Sequence, residues 1–387
     1  MREKGLPAET VLKEIKAKLS RDFAFGSGKI LGPTCTSPHA LAQQAYTKFL
    51  EKNLGDPGLF PATAQLEKEA IQMLGSLLSN PDAAGNIVTG GTEANILALR
   101  AFKNSKTKNG GEIIVPVSAH CSFDKAASLL GFEIVRVGLN SRFQVDAEAV
   151  RRAVNAKTVA VVCIAGTTSL GVVDPIEELS EIVLENGLFL HVDAAFGGFV
   201  IPFVRELGYK ASEFDFQLSG VCSITIDPHK MGLAPIPAGG ILFKNSDLKE
   251  AITWKVPYLA GGETEQATFV GTRSGASVIA VWTLLQHLGR EGYRKIVKRC
   301  MCLTWKLAEE IRQIHWLDIM IEPTTNVVGI KSDVFDVKRI AGELRKRGWA
   351  VSLFPRHIRI VVMPHIREEH LESFLKDLRI TVKKLNG

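Results

Sequence analysis

Short runs of apolar, often β-branched residues alternate along the chain with windows in which apolar positions recur every three or four residues. The runs at 86–91, 113–119, 133–139, 158–166, 188–193, 220–227 and 239–245 predict seven strands. Windows at 92–104, 122–130, 146–155 and 175–186 predict helices between most of them. Strands that are apolar throughout and alternate with helices predict a largely parallel sheet covered on both faces. Upstream, Leu66, Ala70, Met73, Leu74, Leu77 and Leu78 recur at helical spacing across 62–78. Residues 1–50 read as an arm with a helix at 9–20, an irregular stretch FGSGKILGPTCTSPHA, a second helix from about Leu41, and little core of its own.

After residue 245 the rhythm changes. The Gly- and Thr-rich string YLAGGETEQATFVGTRSGAS predicts a loop, and 277–314 predicts a long helical region. The tail gives strands near 326–331, 350–354 and 358–363 with helices at 337–347 and 367–385, a small α+β domain. The expected organisation is an arm at 1–50, a large domain at 51–250, a loop and linking helices at 251–315, and a small C-terminal domain at 316–387.

With 46% hydrophobic and 23% charged residues, the chain is globular in composition, which excludes disorder as its main state. No apolar run approaches the roughly 18 residues that span a bilayer. The N-terminus, MREKGLPAETVLKEIK, lacks the apolar block of a signal peptide, so a cytoplasmic protein without membrane contact is expected. The cysteines at 35, 121, 163, 222, 300 and 302 form no zinc-type spacing and read as small, reduced core residues. The net charge of +6 is mild; an anionic substrate or cofactor accounts for it, so does no special partner, and nothing favours nucleic acid.

Three strand ends carry chemistry. A strand leads into Thr89-Gly90-Gly91-Thr92-Glu93-Ala94-Asn95 and then a helix, where backbone N–H groups and paired glycines can cradle a phosphate. A Gly-Gly turn with a capping Thr also serves as plain punctuation between elements. LFLHVDAAFGG ends a buried-type strand in Asp193, a carboxylate at the strand edge where α/β folds bind ligands or simply a capping residue. GVCSITIDPHKMG ends in Asp227-Pro228-His229-Lys230, and a lysine directly after an apolar strand is unusual unless it lies at a surface edge.

Together these motifs resemble the pyridoxal 5′-phosphate (PLP) enzymes of the aspartate aminotransferase fold (fold type I). The finer resemblance is to group II amino-acid decarboxylases, through HVDAAF at 191–196, DPHK at 227–230 and GTTSLGVVDP at 166–175. GDPGLFPATAQLEKEAIQMLGSLL followed by TGGTEANILALRA is most similar to the archaeal L-tyrosine/L-aspartate decarboxylases. The resemblance implies a seven-stranded, mainly parallel sheet in a large PLP-binding domain, a small C-terminal domain and an obligate homodimer.

By that resemblance Lys230 is the Schiff-base lysine, Asp193 the partner of the pyridine nitrogen, and His120 the residue stacked on one ring face with Ala195 on the other. Gly91 and Thr92, helped by His229, would hold the phosphate, and Thr168 would lie near the cofactor and the substrate carboxylate. Gly271 and Thr272 are the candidates for phosphate contacts given to the partner subunit. Tyr258, ahead of a Gly-Gly stretch, is the candidate proton donor on a mobile loop, with plain packing as its alternative. Arg359 and its neighbour Arg356 are candidates for a substrate carboxylate, or else solvated strand charges.

The expected reaction is α-decarboxylation of an L-amino acid. L-Aspartate, giving β-alanine for pantothenate and coenzyme A synthesis, comes first. L-Tyrosine, giving tyramine for methanofuran, and L-glutamate are rivals. Other readings are a carbon–carbon lyase like sphingosine-phosphate lyase, a tRNA-dependent PLP enzyme, and a non-catalytic PLP carrier. Gly26-Ser27-Gly28-Lys29 is not a P-loop, since Phe23 and Ile30 stand where Gly and Ser/Thr are needed. No HExxH or GxSxG occurs to support a zincin or a serine hydrolase, and no metal site is expected.

Overall fold

The computed structural model describes residues 1–106 and 110–386. Strands β1 (Ala84–Val88), β2 (Glu112–Pro116), β3 (Glu133–Val137), β4 (Thr158–Ile164), β5 (Phe189–Asp193), β6 (Val221–Ile226) and β7 (Gly239–Phe243) form one sheet in the order β1-β7-β6-β5-β4-β2-β3. All neighbours are parallel except those of β7, which runs antiparallel to both β1 and β6. The continuous apolar runs have the cause inferred from the sequence. Every residue of β4 is buried, with Val161 and Cys163 facing one apolar cluster and Ala160, Val162 and Ile164 the other. Successive side chains point to opposite faces, so a strand covered on both sides must be apolar at both parities.

The four helices expected between the strands are present as Gly91–Lys106, Ser122–Leu130, Ala147–Ala153 and Ile176–Glu185. Asp146 caps the third by accepting a hydrogen bond from the Ala149 amide at 3.1 Å.

The stretch expected to be a loop after residue 253 is instead an antiparallel ribbon of β8 (Trp254–Leu259) and β9 (Gly262–Gln266). It lacks a continuous apolar run because most of its residues face solvent or are half-buried. The helix Gly275–Arg312 matches the long helical region, but Gly289 breaks it with φ 51° and ψ −172°, a conformation open to glycine. Its first part packs into the core under the large sheet through Val278, Val281 and Leu284, and its last part into a second core through Leu307, Ala308 and Ile311.

That second core lies against an antiparallel sheet of β10 (Asp318–Ile319), β11 (Val327–Lys331), β12 (Ser352–Phe354) and β13 (His357–Val361), in the order β10-β11-β13-β12. The helices Val337–Lys346 and Glu368–Asn386 contribute Leu344, Phe374 and Leu378 to it. The arm joins it as well. Leu31 is fully buried there, and its amide and carbonyl bond Ala350 O and Val361 N at 2.9 and 2.7 Å. The first helix, Ala8–Leu19, has no buried residue among the described residues and leaves Leu12, Ile15 and Leu19 exposed along one side.

The cysteines depart from expectation. Cys163 and Cys300 are buried, Cys35 and Cys222 are half-buried, and Cys121 and Cys302 are exposed. Among the described residues, no helix is long and apolar enough to cross a membrane.

Candidate active site

A cavity of about 310 Å³ opens at the carboxyl ends of the parallel strands and gathers residues far apart in sequence: Gly91 and Thr92, His120, Thr168, Asp193 and Ala195, and His229 and Lys230. Parallel strands with helical crossovers deliver loops to this edge, which is why motifs at strand ends converge there.

One side is the start of the helix Gly91–Lys106. The bond from the Ala94 amide to Gly90 O, 3.1 Å, is an early one of the helix, so the amides of residues 91–93 come before it. Glu93 turns back, its Oε2 accepting from the amide and hydroxyl of Thr89 at 2.8 and 2.7 Å, and this fixes the turn. The glycines are required by close approach. A Cβ on Gly91 would lie 3.0 Å from Asp227 Oδ2, and one on Gly239 of β7 would lie 2.4 Å from Gly90 Cα. His229 sits over this turn, with Nδ1 2.6 Å from Ala238 O and Cε1 3.3 Å from where a Gly90 Cβ would be.

On the floor, Asp193 ends β5. Its Oδ1 accepts from the Ala195 amide at 3.0 Å and its Oδ2 from Asn95 Nδ2 at 3.0 Å. Asn95 was quoted in the sequence motif without a role. It faces inward one turn into the helix and is 1% exposed. Behind it, His191 Nε2 lies 3.0 Å from Asn95 Oδ1, Thr225 donates to that oxygen at 2.7 Å, and Ser223 Oγ lies 2.8 Å from His191 Nδ1. Burial pulls His191 down to about 4, with Asp193 acting the other way, so its ring is neutral near pH 7.

Lys230 follows β6, with Nζ 3.0 Å from Asp227 Oδ2. Burial alone would depress the ammonium, but Asp227 and Asp193 outweigh it and raise its proton affinity above the ordinary range. Asp227 is 2% exposed, and its Oδ1 has no hydrogen-bond partner among the described residues. A buried carboxylate oxygen left open beside a lysine marks a place for a polar ligand.

Thr168 sits on a loop fixed by Asp174, whose two oxygens accept from the Val145 and Ile164 amides at 2.8 and 2.7 Å. Burial raises Asp174 to about 6 against those two donors. Arg359 on β13 reaches this loop. It donates to Thr168 O, to Gly32 O at 2.8 and 3.1 Å, and to Ser352 Oγ at 3.1 Å. It is 7% exposed, and burial pulls it down to about 10. The reading of Arg359 as a solvated strand charge is therefore corrected, because bonds to main-chain carbonyls hold its guanidinium inside.

Arg356 is exposed and lines a separate apolar cavity that shares His120 and Thr168 with the first. Gly271, Thr272, Tyr258 and Arg359 are not among the residues that line the cofactor-sized cavity of their own chain. Tyr258 projects from β8 with 83% exposure, which places it on a ribbon and away from this cavity. Two anchors that sequence reading missed hold the segment carrying Gly271 and Thr272. Glu93 Oε1 accepts from the Phe269 amide at 3.1 Å, and Glu67 pairs with Arg273 at 2.5 and 3.0 Å.

An anion cradle, a strand-end carboxylate, a half-buried lysine and an unpartnered carboxylate oxygen fit PLP, a phosphate ester with an aldehyde and a pyridine nitrogen. The comparisons with known proteins agree. Residues 28–332 match the pyridoxal-dependent decarboxylase conserved domain. An L-aspartate/L-glutamate decarboxylase of Pyrococcus horikoshii is 52% identical over 97% of this chain and 97% of its own length. A probable L-tyrosine/L-aspartate decarboxylase of Methanothermobacter thermautotrophicus is 52% identical over 92% of this chain and 98% of its own. The solved sphingosine-1-phosphate lyase of Burkholderia pseudomallei superposes with a TM-score of 0.92 at 30% identity, covering 99% of this chain and 92% of that one. The fold is thus type I, the cofactor is PLP, and the chain belongs to the pyridoxal-dependent decarboxylase family.

Proposed function

We propose that this PLP-dependent carboxy-lyase removes the α-carboxylate of L-aspartate, releasing CO2 and β-alanine for coenzyme A synthesis in the cytoplasm. Arg359 carries the choice of an acidic substrate. It is a buried guanidinium that forms no ion pair among the described residues, and it is bonded to the loop presenting Thr168 to the cavity. A buried cation without a counter-charge is costly and is relieved by an anionic ligand. Names given to relatives, L-aspartate/L-glutamate decarboxylase among them, support the same choice.

PLP, when bound, supplies the electron sink for the pair of electrons left as CO2 departs. In this reading Lys230 would hold the cofactor through its aldehyde carbon. Asp193 would keep a proton on the ring nitrogen, and His120 and Ala195 would line the space for the ring. The amides at Gly91 and Thr92, with His229, bind the phosphate. Arg359, bonded to Thr168 O behind the cavity wall, would draw the side-chain carboxylate toward that loop by its charge, which leaves the α-carboxylate to be oriented for cleavage. Arg359→Lys is expected to lower kcat/KM for L-aspartate by roughly a hundredfold, because an ammonium cannot reproduce the planar fork. Cofactor absorbance should be unchanged. An unaltered kcat/KM would remove Arg359 from the substrate site.

A specific observation favours a second reading, L-tyrosine to tyramine. The neighbouring cavity of about 610 Å³ is lined by Leu139, Phe143, Leu170, Met320 and Phe354 and has Arg356 at its edge, a surface suited to an aromatic side chain. A kcat/KM panel over aspartate, glutamate and tyrosine ranks the three.

We also infer a homodimer whose sites are completed across subunits. The apolar side of the helix Ala8–Leu19, together with Trp254, Tyr258 and Phe269, is exposed on the single chain, and Gly271, Thr272 and Tyr258 lie outside its own cavity. Tyr258 then acts as proton donor in the partner's site. Tyr258→Phe should lower kcat by roughly a hundredfold or more. Subunits of that variant mixed with Lys230→Ala subunits should regain about a quarter of wild-type activity, since half the dimers are hybrids with one intact site. Activity no higher than in either parent would contradict the shared site.

A further inference from the structure

We propose that Asn95 is a positioning residue whose amide holds the Asp193 carboxylate toward the cofactor's ring nitrogen and keeps the proton they share on the ring. The inference rests on the proposed role of Asp193 and adds a residue that acts through it.

The hydrogen-bond pattern leaves Asn95 one orientation. Its Oδ1 receives the Thr225 hydroxyl at 2.7 Å and faces His191 Nε2 at 3.0 Å, while its Nδ2 faces Asp193 Oδ2 at 3.0 Å and Ser122 Oγ at 2.9 Å. A flipped amide would set its oxygen against the carboxylate oxygen, an acceptor against an acceptor. A neutral His191 is then protonated on Nε2, donates to Asn95 Oδ1, and accepts from Ser223 at Nδ1, a tautomer assigned from its partners. Asn95 stands on the cavity wall at 1% exposure, and His191, Ser122, Ser223 and Thr225 behind it are fully buried, so the network that orients its amide is closed to water.

The consequence concerns where a proton sits. A carboxylate and a pyridine nitrogen that share a proton divide it according to which is better stabilised. Donors to the carboxylate favour its charged form and leave the proton on the ring. Among the described residues Asp193 has two such donors: the Ala195 amide, which the main chain fixes, and Asn95, which a substitution can remove. Loss of Asn95 takes away one donor and frees the carboxylate to rotate.

The test uses holoenzyme carrying isotope-labelled PLP, with the ring nitrogen read by NMR through neutral and mildly alkaline pH. Wild type should give the protonated-ring signal. Asn95→Leu, close in volume and without polar atoms, should move that signal toward neutral pyridine; if this variant does not fold, Asn95→Ala is read in its place. PLP affinity, followed by fluorescence titration, should fall roughly tenfold or less. A protonated ring that persists in the variant overturns the role of Asn95 and leaves Asp193 standing. An unprotonated ring in wild type overturns the role of Asp193 itself.

Discussion

Lys230→Ala should lose the visible absorbance of lysine-bound PLP and lower kcat by roughly 10⁴ or more, the scale expected when an enzyme loses its covalent group. The argument starts from the strand. β6 is buried at all but one of its positions and delivers Asp227 and Lys230 to the cavity, where Nζ lies 3.0 Å from Asp227 Oδ2. The buried carboxylate gives the amine a fixed place beside the cavity. Alanine also leaves Asp227 as an uncompensated buried charge, which costs several kcal/mol. Lys230→Arg separates the two effects. It keeps a cation beside Asp227 yet cannot react, because a guanidinium stays protonated. Its thermal midpoint should stay close to wild type while absorbance and activity vanish as in the alanine variant. Normal absorbance in Lys230→Arg would move the covalent role to another residue.

Asp193→Asn has the second largest expected effect, a fall in kcat of roughly 10³ with PLP affinity changed much less. The carboxylate matters through charge placed where it develops, and removal of one such contact costs about this much in other active sites. The amide nearly preserves shape, so phosphate and lysine contacts persist and hold the cofactor. It cannot serve as counter-ion to a protonated ring. Steady-state kinetics alongside cofactor titration checks the separation, and a wild-type kcat in Asp193→Asn would show that the ring needs no counter-charge.

Features governed by local pattern were legible in the sequence. β4 is apolar at both parities because both faces are covered, while β5 and β6 stay apolar at one parity and carry His191, Asp193, Ser223 and Thr225 at the other; the motifs ending them pointed to Asp193 and Lys230. The ribbon at 254–266 was not legible, because much of it is exposed and no alternating apolar face marks it. Neither was the break at Gly289, a single φ inside an otherwise helical pattern. Arg359 was ambiguous in sequence because its burial depends on carbonyls of Gly32 and Thr168, remote in the chain. Asn95 went without a role for a similar reason. Its partners lie on β5, β6 and the helix Ser122–Leu130, and nothing local distinguishes an inward amide from an outward one.

The central claim is that the chain decarboxylates L-aspartate with PLP. The most direct measurement incubates purified, PLP-loaded protein with L-aspartate and quantifies CO2 and β-alanine together, beside L-glutamate and L-tyrosine at equal concentration. Equal amounts of CO2 and β-alanine, with the highest kcat/KM for aspartate, are expected. Bound PLP without CO2 release from any of the three would contradict the claim.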